Sequence, residues 1–567
     1  MSASALSPNP RLWILGPWRD LFFFVLTPLW ILPLVWWAKA NFGITSFGAF
    51  ALALGGVGHH LPGFIRAYTD PVLFRRFRTR FIIAPLFLLT VFAAFSLKQL
   101  HGLKLLVVLW GAWHGAMQIN GFLRIYDAKA GSISPVTARL DWAMCLAWFG
   151  AGLLHSSSRV TSILMLFYDA GGTEVGPDFF AALRMGWGAL TAAITIAFLV
   201  NAWRETRAGT VPSPVKLLLM ASSFGFWWFA MVNVYDPILG LLLFEVFHDV
   251  QYNTLVWVYN RGRVAQRASA SSIEIFLFRP GTFRIALYVL LIGAYGLLGV
   301  FSDYSVTMVP ASLRSTVGSI EFWTGLFTVS AFLHFYFDGF IWRVREKELR
   351  QGLGISREKQ RTPANTTRPV IWHPPAEWKW VFFVVPALTL GIWELQGRSM
   401  LQLDQFRSII RILPENWSLH YFIAHSERAN KDYARAVEDY QRALVFNPDL
   451  EPAHAELADI YTNQERPDLA VPHYQRALDL DPLDVRTRDH FATALLMENR
   501  VADALPYLLP AAARAPNNAN INYLAGAALM HEGRVTEAMP YLRLTLKLDP
   551  NQPRARAYLD QAEKQGP

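Results

Sequence analysis

Four prolines, Pro448, Pro482, Pro516 and Pro550, stand 34 residues apart near the end of this 567-residue chain. Two small-residue series keep the same step: Ala436, Ala470, Ala504 and Ala538, and Ala424, Ala458, Ala492 and Gly526. Asn447-Pro448, Asp481-Pro482 and Asp549-Pro550 close successive units, as expected of a residue that cannot continue a helix. A period this long holds one helix–turn–helix. No single unit can bury its own apolar face, so the units must stack into a solenoid. Four units fill 418–552, and 553–567 reads as a solvating cap helix. Pro506 and Pro510 fall within the second helix of the third unit, which is expected to start late or bend there.

This stretch resembles the tetratricopeptide repeat family, whose 34-residue period, small crossing residues and closing proline it repeats. The resemblance implies a concave surface for a protein or peptide partner. No charged clamp in the sequence identifies that ligand. The six histidines in or beside the array (His420, His425, His454, His473, His490, His531) read as scattered over repeat positions, with no metal site among them.

The rest of the chain is of another kind. Mean hydropathy is +0.24, with 53% hydrophobic and 17% charged residues. Residues 418–567 hold 16 Lys/Arg and 21 Asp/Glu, so a chain of net charge +9 leaves about +14 on the first 417 residues. That excess lies between apolar runs, which reads as topology and contact with membrane lipids, with no nucleic acid as partner. The single cysteine, Cys145, excludes an intrachain disulfide and a thiolate metal site.

A bilayer span needs about 20 apolar residues. Eleven runs are read as spans, at 21–38, 44–60, 81–97, 104–123, 141–155, 185–203, 217–234, 237–258, 283–301, 321–341 and 380–394. The first is broken by Pro28 and Pro33 and lacks a small-residue cleavage site, unlike a cleaved signal. The expected fold is all-α: a polytopic transmembrane bundle over 1–397, a linker at 398–417 that is partly helical around 405–412, and the repeat solenoid over 418–567. Arginine and lysine gather in alternate loops, at Arg66–Arg80, Arg124–Arg139, Arg204–Lys216, Arg261–Arg267 and after Arg343. Basic loops stay in the cytoplasm, so the N-terminus is expected inside and, after eleven spans, the repeats outside a bacterial inner membrane.

Five of the fourteen histidines lie within the apolar runs: His59, His60, His114, His248 and His334. Ionisable groups at membrane depth need a reason to be there. His60 precedes Arg66 by six residues, His334 precedes Arg343 by nine, His114 precedes Arg124 by ten and His248 precedes Arg261 by thirteen. At about 1.5 Å per residue, four helices offer imidazoles at overlapping depth. Glu245 and His248 are i,i+3 on one face, as in carboxylate di-iron bundles. His334 and Asp338 are i,i+4, as are His114 and Gln118. The expected metal ligands are His59, His60, His114, Glu245, His248, His334 and Asp338. Gln118 and Asp127 are expected behind them, orienting ligands. Neutral imidazole with carboxylate suits iron, zinc, copper or manganese, and so many donors point to two metal ions, iron first. Tyr252 or Asp249 is placed to relay protons as a catalytic group. His101 and His155 belong near the opposite side, and His373 lies in a cytosolic loop that could fold under the site.

This gathering of histidines near the cytosolic ends of several helices resembles the integral-membrane non-haem di-iron enzymes. It covers at most the first 345 residues and is one of arrangement: the boxes His-x-x-x-His and His-x-x-His-His are absent, and His59-His60 and isolated His-acid pairs stand in their place. A fainter similarity runs to the bacteriorhodopsin-related carotene dioxygenases. Both resemblances imply an oxygenase, hydroxylase or desaturase acting on a lipid, isoprenoid or other apolar substrate. Two other readings stand beside it: a membrane scaffold or assembly factor acting through its repeats, and a transporter with a His/Asp proton pathway. No phosphate-binding glycine loop, Ser/His/Asp order or zinc-peptidase motif is present.

Overall fold

The computed structural model describes residues 12–51, 56–98, 100–132, 134–234, 237–265, 270–300, 320–342, 353, 380–397 and 400–565. Among these residues the chain is helix and turn, with no strand. It divides into two compact units after Met400. The loop at 346–377 with His373, except residue 353, and residues 52–55 of the expected second span lie outside the described residues.

In the first unit, several helices begin at a capping residue followed by proline. The Asp70 carboxylate accepts from the Val72 and Leu73 amides and opens Pro71–Leu97; Ser134 opens Pro135–His155, and Ser213 opens Pro214–Trp228. The cap satisfies an orphan amide, and proline at the first position has none to lose. Ten of the eleven expected spans fall on helices. Those of the candidate site are Gly102–Ala130, Pro237–Ala265 and Ile320–Ile341, with the ten-residue His60–Thr69.

The exception is the run at 44–60. One helix runs Thr27–Ala51 straight through the polar stretch around Lys39 and Asn41, so the first two expected spans are largely one. His59 and His60 then occupy a turn and the start of a short helix. A further helix, Ser157–Asp169, was not expected; Ser156 caps it. Among the described residues, three helices are long and apolar enough to cross a bilayer: Pro71–Leu97, Pro177–Arg207 and Pro214–Asn233. Two bent pairs raise that to five. Pro177–Arg207 leaves Phe179, Met185, Ile196, Leu199 and Trp203 exposed along its length, a surface suited to lipid. The site-bearing helices fall short of the hydropathy of a simple span because His, Asp, Gln and Asn replace apolar residues on their inner faces.

Buried charge also ties this unit together. Lys216, 1% exposed, donates to Asp127 (2.9 Å) and Asp141 (2.7 Å), and Arg124 reaches the same two carboxylates at 2.7 and 3.2 Å. Arg263 joins Asp70 to Glu274.

The second unit starts earlier than expected. The helix Gln402–Ile412 stacks Phe406 on Phe422 and sends Arg407 to Glu427 (3.1 Å), so most of the expected linker packs on the first repeat. Four helix pairs follow, 417–429/433–446, 451–463/467–480, 485–497/501–514 and 519–531/535–548, then Pro553–Gln565 as the cap. The third pair keeps its schedule: its second helix starts at Val501 despite Pro506 and Pro510. Pro472 and Pro540 hold the position of Pro506 in neighbouring units, so this proline belongs to the repeat. The turn inside each pair puts Lys431, Glu465, Asn499 and Gly533 in the left-handed region, at φ 63, 58, 61 and 72°.

The histidines of this unit are less scattered than expected. His420 and His454 share one repeat position, and each bonds the proline carbonyl six residues earlier, Pro414 and Pro448. Their other nitrogens meet Asp439 (2.7 Å) and His473 (2.9 Å), again equivalent positions. Burial, with His454 beside it, pulls the His473 imidazole down to about 4. Asp459 lies below its ordinary range: burial would raise it, but His490, Tyr474 and Arg486 all bond its carboxylate.

Candidate metal centre

The five apolar-run histidines converge. Ring centroids lie 4.6 Å apart for His59–His334, 4.5 Å for His60–His334, 4.6 Å for His114–His334, 5.2 Å for His59–His248 and 5.4 Å for His114–His248. All five are buried. Three donor groups have their ligand atoms within 4.8 Å of one another: His59/His114/His248, His59/His60/His334 and His114/His334/Asp338.

Neighbours select which nitrogen each ring offers. Asp249 lies 2.9 Å from His59 Nδ1, which leaves Nε2 toward the centre. Ser330 Oγ lies 2.8 Å from His60 Nδ1 and 2.9 Å from the Tyr295 hydroxyl, so His60 is also left with Nε2. His59 Nε2 and His334 Nε2 stand 3.1 Å apart, close to the spacing of adjacent nitrogens on one ion with bonds of about 2.0–2.1 Å. The Tyr252 hydroxyl (3.1 Å) and Trp342 indole (3.0 Å) both donate to Asp338 Oδ1. That leaves Asp338 Oδ2 facing His334 Nδ1 at 3.8 Å and His114 Nε2 at 4.0 Å.

Three buried nitrogens, His114 Nε2, His248 Nδ1 and His334 Nδ1, have no hydrogen-bond partner. An unsatisfied buried polar atom costs about 1–3 kcal/mol. Three in one spot, beside a carboxylate whose other oxygen is fixed, is a donor set that an ion would satisfy. The donors are imidazole and carboxylate, the chemistry of iron, zinc, copper or manganese. Cys145 is buried in a separate apolar cluster with Met144 and Phe149.

Not every expected residue joins. Glu245 belongs to none of the three donor groups. Gln118 donates to the His248 backbone carbonyl (3.0 Å) and orients no imidazole. Asp127, thirteen residues beyond His114, lies in the Lys216 ion cluster and not behind a ligand; the helical rise over that separation is roughly 20 Å. Asp249 and Tyr252 are present, but they hold His59 and Asp338 in place. Residues with no assigned role also contribute. Ser330, His334, Asp338 and Trp342 are each four apart on one helical face, a periodicity that could have revealed the first and last. Gly63 packs where a side chain would stand: a Cβ there would lie 2.9 Å from the Tyr252 hydroxyl and 3.3 Å from Asp338 Oδ1. Arg66 is buried between the Tyr259 and Trp342 rings, at 4.3 and 4.1 Å.

Comparison with known proteins bears on the other unit. The tetratricopeptide repeat family model matches residues 421–485 and 491–553. Residues 421–553 are tetratricopeptide repeats. Similar solved structures include YrrB, titled a TPR protein with an unusual peptide-binding site, at 20% identity over 31% of this chain and 87% of that one (TM-score 0.26). MamA is similar at 20% identity over 25% and 84% (TM-score 0.23), and MamA from Desulfovibrio magneticus RS-1 at 18% over 26% and 84% (TM-score 0.24). No curated protein matches the chain.

Proposed function

We propose that the first unit is a membrane-embedded metalloprotein with a two-ion His/carboxylate centre, and that the repeats bring a protein partner to it. The observation that carries this reading is the set of three unpartnered buried nitrogens, of which His114 Nε2 and His334 Nδ1 face Asp338 Oδ2 while His248 shares a donor group with His59 and His114. Iron is the metal to test first, with oxidative conversion of a lipid, isoprenoid or other apolar substrate as the reaction class. A redox-active ion pair would supply dioxygen chemistry when bound. The chain's own contribution is to fix five imidazoles, keep bulk water out of a site lined by Phe244 and Phe335, and hold Asp338 through Tyr252 and Trp342.

Topology follows from the basic segments. If Arg66–Arg80 and the later Arg-rich stretches are cytosolic and the first two of the eleven expected spans are one, both the N-terminus and the repeats would lie outside. The second reading, a scaffold without catalysis, draws on the repeat match itself, since such arrays bind proteins along their concave face.

Metal analysis of purified full-length protein separates the two. The metalloprotein reading expects stoichiometric metal that falls in His59→Ala and His248→Ala variants of unchanged helicity. Metal-free protein that stays metal-free after addition of iron, zinc, copper or manganese leaves the scaffold.

A further inference from the structure

We propose that the imidazole of His334 is shared between two metal ions, one on each ring nitrogen. This rests on the metal-centre reading and specifies how the two ions are arranged.

The donor groups overlap, but their shared rings are not equivalent. His59 and His114 each occur in two groups, yet Asp249 stands 2.9 Å from His59 Nδ1, and the His114 nitrogen that faces Asp338 is Nε2 alone, at 4.0 Å. His334 also occurs in two groups, and both of its nitrogens face donors. Its Nε2 lies 3.1 Å from His59 Nε2, on the side where His60, tied at Nδ1 to Ser330, presents its own Nε2. Its Nδ1 has no hydrogen-bond partner and faces Asp338 Oδ2 at 3.8 Å, which in turn is 4.0 Å from the unpartnered His114 Nε2. The two nitrogens of one imidazole point away from each other, so a single ion cannot take both. His59, His60 and His334 Nε2 form one subsite; His114, Asp338 and His334 Nδ1 form the other. The His248 ring lies beside His59 of the first subsite and His114 of the second.

A neutral imidazole carries one N–H. Binding the second ion breaks that N–H bond, forms a metal–nitrogen bond and releases the proton to solvent, the usual exchange when a ligand must deprotonate. Metal–nitrogen bonds of about 2.0–2.1 Å on either side of the ring put the ions roughly 6 Å apart. Oxygen-bridged two-metal sites hold theirs at about 3.5–4 Å. The arrangement therefore differs in kind from that of the carboxylate-bridged bundles.

Copper(II) alone is a suitable probe, because imidazole binds it tightly and each isolated ion carries one unpaired spin. Full-length protein in detergent is titrated with copper, and metal content and low-temperature electron paramagnetic resonance are measured together. The expected result is two coppers per chain with an integrated signal far below two spins, because the shared ring couples them antiferromagnetically. His60→Ala and Asp338→Asn should each keep one copper with its full one-spin signal, and helicity measured on each confirms folding. Two coppers per chain with a full two-spin signal would overturn the shared ring while leaving a metal centre. Failure to bind copper at all would remove both the shared ring and the reading beneath it.

Discussion

The two units reach their structures by opposite routes. In the repeats, each residue's role is set by a position that recurs every 34 residues, and its partners come from the same or the next unit. The Asp459 hub draws on Tyr474, Arg486 and His490, all within 31 residues. In the first unit, the contact between His59 and His334 joins residues 275 apart, and the centre draws one to four side chains from each of four segments. A periodic array can be read from one strand of sequence. A convergent site becomes visible only once the helices are packed.

The largest effect is expected at the centre itself. His334→Ala should abolish metal binding while the repeats keep their own unfolding transition, followed by metal analysis and far-ultraviolet circular dichroism. A variant that unfolds the repeats as well would mean that the units are not separate in stability. The next largest effect is expected from Lys216→Met, which leaves Arg124 alone with two buried carboxylates. The first unit should lose about 3 kcal/mol or more, read as a lower midpoint in thermal unfolding in detergent. Gly63→Ala should cost about 1–3 kcal/mol of overpacking and weaken metal retention, because its methyl would press on Tyr252 and through it on Asp338.

Smaller effects test the repeats. Lys431→Gly and Glu465→Gly should each stabilise the array by up to about 1 kcal/mol, since a non-glycine residue held left-handed is strained and Gly533 already holds the equivalent turn. Amide exchange across the repeats would show added protection. The His454–His473 contact should give a pH response of definite sign. The folded His473 titrates near 4, below the ordinary 6.5 of the unfolded chain, so the unfolded state binds more protons between those values. Stability is full above about 6.5 and falls as pH drops toward 4. His473→Asp, which copies Asp439 of the first repeat, should flatten that fall in an acid unfolding series. An unchanged slope would mean that the His454–His473 contact does not govern it.

These contrasts explain what was legible. Helix pairs, their 34-residue schedule and the cap follow from Pro448, Ala436 and their equivalents, because local sequence decides them. Misreadings arose where context overrode it. Pro506 and Pro510 suggested a late helix, but the neighbouring units fix its start. Two spans were expected, at 21–38 and 44–60, yet one helix continues through Lys39 and Asn41 between them. The centre was half legible. Depth relative to the basic segments singled out the five histidines, and i,i+4 spacing singled out Asp338. Spacing along one helix could not reveal that Asp127 bonds Lys216, that Gln118 seeks a backbone carbonyl, or that Glu245 stays outside the donor groups. Each depends on which neighbouring helix arrives.

X-ray absorption on the metal bound to purified full-length protein decides whether the five buried imidazoles hold it. The account predicts a first shell of nitrogen and oxygen at about 2.0–2.2 Å, with the outer-shell scattering of several imidazoles and no sulfur. A sulfur-containing shell, or a metal surrounded by water oxygens without imidazole, would contradict it.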